Sequence, residues 1–330
     1  MLYHWLQRVW YANAASGIVL WPLGWLFGAL VRLRSEAYRR GWVRSFAVAK
    51  PVIVIGNLTV GGTGKTPLTL WLARQLSQRG LRAGIVLRGY GGSTRVPRRV
   101  GAAAGVSDVG DEAVLLASRS ECPVVVGADR VAAARLLDAE VDVILADDGL
   151  QHLRLRRDLE IVVIDGERRF GNRRLLPAGP LREPLARLES VDAVVVNGGV
   201  DGVGGFRMTL AGSEAVALVG RERRSLGSFA PGPVHAVAAI GNPERFFALL
   251  RQQGLNFVPH PFSDHHAFER GDLEFGDALP VLMTEKDAVK CARFAKRQHW
   301  YVPVDAAFSQ EDAGQLLRLV MQAVETRRSG

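Results

Sequence analysis

Cysteine is nearly absent from this 330-residue chain: Cys122 and Cys291 are the two present, and they have no paired spacing. That argues against a disulfide framework and a cysteine-built zinc site, and fits a reducing compartment. Lysine is scarce too, so nearly all the positive charge is arginine. The basic residues are scattered over loop-like stretches, without an aromatic platform or a helix-turn-helix pattern, so nucleic acid is not an expected partner. No Asn-Lys-x-Asp segment follows a strand, and residues 194–199, VVVNGG, lack its lysine and aspartate, so a guanine-reading signature is missing. His260, Asp264, His265 and His266 contain no helical i, i+4 histidine pair, which argues against a structural metal cluster. There is no internal repeat beyond a loose βα alternation.

What is present describes a folded protein. Hydrophobic residues make up 48% and charged residues 23%, and the length suits two α/β domains. A net charge of +9 points to an anionic partner: nucleic acid, acidic lipid or a phosphorylated substrate.

The most informative stretch is residues 51–67, PVIVIGNLTVGGTGKTP. An apolar run at 52–55 reads as a buried strand, and residues 68–78 place Leu68, Leu72 and Leu76 at helical spacing. Between them lies Gly61-Gly62-Thr63-Gly64-Lys65-Thr66. Strand, glycine turn, Lys-Thr and helix together form a P-loop, whose backbone N–H groups wrap a phosphate chain. Lys65 is expected on the β- and γ-phosphates, and the Thr66 hydroxyl on Mg²⁺. Thr59 stands where the usual motif has glycine. The plain alternative is a glycine-rich turn before a helix.

Residues 141–145 form an apolar strand that runs into Ala146-Asp147-Asp148-Gly149, a pattern in which the strand-end acid holds Mg²⁺. A turn or a helix cap is the alternative. Gln151 and His152 follow. Further strands are expected at 82–87, 124–127, 160–165 and 191–197, with helices at 113–118 and 129–137. This alternation predicts a parallel sheet covered on both faces, with ligands at the carboxyl ends of its strands. Residues 93–107 read as a mobile surface loop, and 170–184 as a long Pro/Gly loop carrying Arg173, Arg174, Arg182 and Glu183.

Residues 1–44 are of different character. The run 14–31 is apolar, holds Trp21 and Trp25, and precedes Arg32, Arg34, Arg39, Arg40 and Arg44. A hydrophobic helix or helical hairpin lying in the membrane interface is expected, with the tryptophans at headgroup level and the arginines on anionic lipid; a true span and a buried core helix are the alternatives. The expected organisation is a membrane-associated segment at 1–44, a P-loop domain at 45–200, a β connector at 201–232 and a smaller α/β domain at 233–330. Its terminal helix, 312–327, is free to pack back on the first domain.

In order, GNLTVGGTGKTP, RGYGG, VGDEA, ADDGLQH, FGNRRLLPAGPLREP, FSDHH and TEKDAVK resemble the tetraacyldisaccharide 4′-kinases, the lipid A 4′-kinases of Gram-negative bacteria. The resemblance covers nearly the whole chain and includes the relaxed P-loop. It implies transfer of the ATP γ-phosphoryl group to the 4′-hydroxyl of a tetraacyldisaccharide 1-phosphate, with ATP and Mg²⁺ as cofactors. The implied location is the cytoplasmic face of the inner membrane, held there peripherally by the N-terminal segment, with no obligate protein partner. Asp111 is implied as the base acting on the sugar hydroxyl and His265 as its assistant, with Lys65 on the phosphates. The nucleotide would be held by Thr59, Gly61, Gly62, Thr63, Gly64, Lys65 and Thr66, and the metal by Thr66, Asp147 and Asp148. Arg88, Arg182, Glu183, Asp264 and Lys286 are implied substrate contacts. Three simpler readings stand beside these: an acidic helix start at Asp111-Glu112, a loop-fixing pair at Arg182-Glu183, and a helix-start salt bridge at Lys286-Asp287. The competing function is a P-loop NTPase switch or a metallochaperone-type GTPase acting at the membrane.

Overall fold

The computed structural model describes residues 2–12, 15–199 and 204–329. Ala14, at the head of the expected apolar run, and residues 200–203, where the connector was expected to begin, lie outside the described residues. The chain opens with helix α1 (Leu2–Tyr11), a 3-10 turn (Ala15–Leu20) and helix α2 (Trp21–Arg39). Then come β1 (Val52–Gly56), α3 (Lys65–Ser77), β2 (Ala83–Leu87), β3 (Arg98–Arg99), α4 (Val106–Val109), α5 (Asp111–Arg119) and β4 (Val124–Val126). They are followed by α6 (Arg130–Arg135), β5 (Val143–Asp147), β6 (Leu159–Asp165), β7 (Ala193–Asn197) and β8 (Phe206–Ala211). The remainder is β9 (Glu214–Ala217), β10 (Arg223–Ser225), β11 (Val234–Ala238), α7 (Pro243–Gln252), β12 (Phe257–Pro261) and β13 (Val281–Thr284). It closes with α8 (Glu285–Cys291), β14 (His299–Val302), β15 (Asp305–Phe308) and α9 (Gln310–Ser329).

Two sheets result. The larger runs β15-β8-β7-β6-β1-β5-β2-β4-β3 and the smaller β10-β9-β14-β13-β11-β12. In the larger sheet β8 through β4 are all parallel, and β15 and β3 close the two edges antiparallel. Side chains alternate across the pleat. Ile53 and Ile55 join a core layer with Leu68, Leu72 and Leu76 of α3, Leu116 of α5 and Leu316 and Val320 of α9. Val52 and Val54 join the opposite layer with Val131 and Ala134 of α6. Burial on both faces explains the continuous apolar strands of the sequence.

The stretch expected as a connector gives β8 to the larger sheet and β9 and β10 to the smaller. The chain leaves the larger sheet after β8 and returns at β15, so two crossings join the units. Helix α9 packs its Leu316, Leu317, Val320 and Val324 into the larger unit's core.

Several elements differ from expectation. Strand β12 was not anticipated because Pro259 and Pro261 mask it, and proline is tolerated there because β12 is the sheet edge. The short β15 and the opening α1 were also missed. The expected mobile loop at 93–107 carries β3 and the start of α4.

Among the described residues one helical stretch, Ser16–Arg39, which joins the 3-10 turn to α2, is long and apolar enough to cross a membrane. Its small face seats on the 170–184 loop: a Cβ at Gly24 would lie 3.0 Å from Ala178 Cβ, and one at Gly28 would lie 2.6 Å from Leu175 Cδ1. The Arg174 guanidinium lies 3.6 Å from the Trp21 ring centroid. The other face exposes Leu23, Trp25, Leu26, Leu30 and Leu33. Helix α1 is tied to the same loop, with the Trp10 indole donating to Pro177 O at 2.9 Å and the Asn172 amide donating to Trp10 O at 2.7 Å.

The smaller unit has several buried aromatics, of which Phe247 is the most completely enclosed. Phe247 of α7 is fully buried among Phe246, Leu250 and Leu282. Phe247→Ala should destabilise the protein by about 3–5 kcal/mol. Urea unfolding checks this; a loss below about 1 kcal/mol would mean that the helix is not anchored there.

Candidate active site

Every functional candidate on the larger sheet lies at the carboxyl edge of its strands. Strand β1 ends at Gly56 and the chain turns through Gly61, with φ 108°, and Gly64, with φ 100°, both in the region that favours glycine. A Cβ on Gly64 would come 2.3 Å from Asn197 Nδ2, which itself donates to Thr63 O at 2.9 Å. Asn57 Nδ2 donates to Gly61 O at 3.2 Å. Two buried amides thus hold the turn from inside. At Thr59, where glycine is usual, the backbone has ordinary negative φ and forms a β-bridge with Leu181. Val60 N–H donates to Pro180 O at 2.8 Å beside it. A side chain is tolerated there because the chain pairs with the 170–184 loop rather than turning sharply.

Asp147 ends β5 in register with Ile55 of β1, which puts it beside the turn. Its Oδ2 lies 3.5 Å from Thr66 Oγ1. Asp148, with φ 49°, points elsewhere: Lys65 Nζ lies 3.4 Å from its Oδ1, and Arg182 contacts both its oxygens at 3.2 Å. The two carboxylates therefore behave oppositely. Burial, and then the charge of Glu112, push the Asp147 carboxyl well up. Burial also opposes charge on Asp148, but Lys65 and Arg182 outweigh it and hold the carboxyl far below its usual range.

Glu183 turns away from this cluster. It is buried, accepts from Gln151 Nε2 at 2.8 Å and lies 3.3 Å from Arg187 Nε. Gln151 Nε2 also donates to Asn57 O at 3.1 Å, so this pair braces the loop against the turn. Arg88 is exposed just beyond β2.

A second cluster spans the two units. Asp111 opens α5 after Gly110, whose φ of 91° and closeness to Tyr90 O, 2.3 Å from a built Cβ, exclude other residues. Asp111 is buried; its Oδ1 accepts the Glu112 N–H at 2.8 Å and its Oδ2 lies 3.1 Å from His265 Nδ1. His265 comes from the turn after β12 of the smaller sheet and has φ 59°. Its ring lies 4.9 Å from the Tyr90 ring. Lys286 Nζ lies 3.2 Å from Glu112, 3.6 Å from Asp264 and 3.9 Å from Asp111. It pairs with these acids and not with Asp287. Asp287 is buried in the smaller unit, where it accepts from Ala239 N–H at 2.8 Å and Thr284 Oγ1 at 2.7 Å.

The charges support this cluster. Burial disfavours the Asp111 anion, but the His265 hydrogen bond and the Lys286 and Lys290 ammonium groups win and lower its pKa. Burial works against protonated His265, but Asp111 and Asp264 win and raise its pKa. The stability contributed by His265 is complete below about 6.5 and fades as pH rises through its folded value; that of Asp111 is complete above about 3.9 and fades as pH falls through its own.

The smaller unit also touches the glycine turn. Gly241 faces it so closely that a Cβ there would sit 2.2 Å from Gly62 N. Arg168 donates to Gly241 O, and Arg245 and Asn242 reach Asp165, at 2.7 and 3.2 Å.

Two residues were not singled out from sequence. Arg130, just beyond β4, is buried, with Nε unpartnered and its charge felt at Asp147 and Asp148. Its place after a strand end was the available signal. Lys290 Nζ lies 3.9 Å from Asp111 and is one helical turn from Lys286.

The oxygen donors fit Mg²⁺. Asp147 is a fully buried carboxylate that lacks a cationic hydrogen-bond partner, beside a hydroxyl. Among the described residues no three acidic, histidine or cysteine side chains converge as a cage, and Mg²⁺ needs none, since one or two carboxylates plus substrate phosphates suffice.

The family described as LpxK, tetraacyldisaccharide-1-P 4′-kinase, matches residues 16–322. A tetraacyldisaccharide 4′-kinase of Nitrosococcus oceani is 51% identical over 325 residues, covering 98% of this chain and 96% of the relative. One of Methylobacillus flagellatus is 48% identical over 325 residues, covering 97% of each. A crystal structure of LpxK from Aquifex aeolicus in complex with ATP superposes with a TM-score of 0.77 at 26% identity, over 93% of this chain and 99% of that one.

Asp111→Asn should lower the midpoint at which the His265 ring titrates, because it removes the anion that holds the proton. Proton NMR of the imidazole checks this; an unchanged midpoint would mean that the two side chains do not interact in solution.

Proposed function

This chain belongs to the tetraacyldisaccharide-1-P 4′-kinase family, and from that premise we propose how its own residues carry the reaction. It is an ATP-dependent kinase that transfers the γ-phosphoryl group to the 4′-hydroxyl of tetraacyldisaccharide 1-phosphate in lipid A biosynthesis. The switch and metallochaperone readings are not favoured. The observation that carries the residue assignment is the Asp111–His265 contact between the two units, on the same rim as the glycine turn.

Phosphoryl transfer has a loose transition state, so the enzyme's task is alignment and charge neutralisation. The backbone of residues 61–66 and Lys65 hold the phosphates, with Lys65 and Arg182 exchanging their contacts with Asp148 for phosphate oxygens. Thr66, Asp147 and Asp148 hold Mg²⁺, which supplies charge neutralisation when bound. The sugar O4′ forms its bond to the γ-phosphorus as the bond to the β,γ-bridging oxygen breaks, and ADP leaves. Asp111 orients the hydroxyl and takes its proton. A carboxylate with a lowered pKa is a weak base, yet a loose transition state asks for the proton late, so an ionised and aimed acceptor suffices. His265 aims it, and Lys286 and Asp264 keep His265 in place.

Membrane docking completes the reading. The exposed apolar face of α2, with Trp25, lies in the bilayer interface, and Arg32, Arg34, Arg39 and Arg40 meet anionic headgroups at the cytoplasmic face of the inner membrane. The lipid substrate then enters beside the 170–184 loop on which α2 rests.

Lys65→Ala and Asp111→Ala should each lower the rate at which labelled γ-phosphate reaches a tetraacyldisaccharide 1-phosphate in detergent micelles by about a hundredfold or more. ATP hydrolysis without lipid labelling by the unaltered protein would overturn the assignment.

A further inference from the structure

The catalytic pairing proposed above has a structural cost: its two members belong to different units, joined by two chain crossings. Helix α5 carries Asp111, and α8 carries Lys286, whose Nζ lies 3.4 Å from His265 Nε2. At one end, Lys286 and Lys290 of α8 face Glu112 and Asp111 of α5. At the far end of α5, its last residue, Arg119, reaches Glu285, the first residue of α8 and the neighbour of Lys286, at 2.6 Å. The same guanidinium reaches Asp305 at 2.7 Å, where the chain re-enters the larger sheet as β15. Arg74 of α3, the helix that follows the glycine turn, lies 3.4 Å from that same Asp305 oxygen.

We propose that Arg119 is a positioning residue for the transfer: by gripping α8 and the start of β15 from the end of α5, it keeps Asp111 and His265 within hydrogen-bonding reach. The inference rests on the Asp111–His265 reading. An ordinary surface ion pair would contribute little. This one differs in three respects. The Arg119 and Glu285 side chains are only 17% and 12% exposed. One planar guanidinium engages two carboxylates from separate elements through two different nitrogens held in a fixed plane, whereas a lysine offers a single nitrogen. Burial raises the Glu285 carboxyl, and Arg119 is the first charge that opposes this, so losing Arg119 leaves a buried acid without its partner.

Arg119 is far along α5 from the reacting atoms. Nine residues of helix span about 12 Å, so a small tilt at one end displaces the other. Among the described residues no hydrogen bond or ion pair joins Arg119 to the glycine turn, so a tilt is expected to affect alignment more than nucleotide binding.

The test uses the full-length protein in micelles and three readings: kcat, the KM for ATP, and the NMR titration of His265. The groups facing His265 are Asp111, Asp264, Lys286 and Tyr90, none of them altered by the substitution. Arg119→Met should lower kcat about a hundredfold, leave the ATP KM within about threefold, and move the His265 midpoint down toward that of Asp111→Asn. Arg119→Lys, which can satisfy one carboxylate, should fall between. If Arg119→Met does not fold, Glu285→Gln removes the same pairing with little change of shape and should show the same pattern. A variant that melts earlier but keeps the wild-type His265 midpoint and kcat would overturn the proposal. If the midpoint moves while the unaltered protein fails to label lipid, the clasp stands and the kinase assignment falls.

Discussion

A carboxylate of one unit and an imidazole of the other share a hydrogen bond, and much of the structure is arranged around making that bond. Asp111 is buried, and a buried anion is tolerated only if paired. Its partners His265, Lys286 and Lys290 all come from the smaller unit. Separating the units would leave Asp111 without its cations, so the assembled arrangement is the electrostatically favoured one. In the reaction proposed above, this means that the groups assigned to aim the hydroxyl come together only when the cleft is assembled.

Around this pair, the larger sheet gathers on one rim the groups proposed to handle the phosphates. Asp147 is positioned by its strand register with β1, and Lys65 by the helix that starts at the glycine turn. The 170–184 loop then connects the rim to the N-terminal helices. It bears Arg182 toward Asp148, braces the turn through Glu183 and Gln151, and seats Gly24 and Gly28 of α2. The apolar helix α2 and the glycine turn therefore rest on one segment, which suits the proposed docking of a kinase whose acceptor is a lipid and whose donor is soluble.

Much of this was legible in the residues. The glycine turn, its Lys-Thr and the strand-end acids are local patterns, and their chemistry follows from spacing. The alternation of strands and helices was likewise visible, because double burial leaves continuous apolar runs such as residues 161–164. What stayed hidden depends on long-range pairing. Asp147 and Asp148 are neighbours in sequence yet have opposite environments, because one faces Thr66 and the other Lys65 and Arg182. Arg182 and Glu183, also adjacent, point into different networks. The Arg119–Glu285 contact joins residues 166 positions apart, and nothing local marks either of them. Strand β12 was obscured by two prolines that only an edge position explains.

The most direct test of the pairing is a double-mutant cycle on kcat with Asp111→Asn, His265→Ala and the two combined. If the two residues act as one unit, the double variant will be no slower than the worse of the single variants. If the two losses instead multiply, Asp111 and His265 work independently, and the account of a shared bond across the units is wrong.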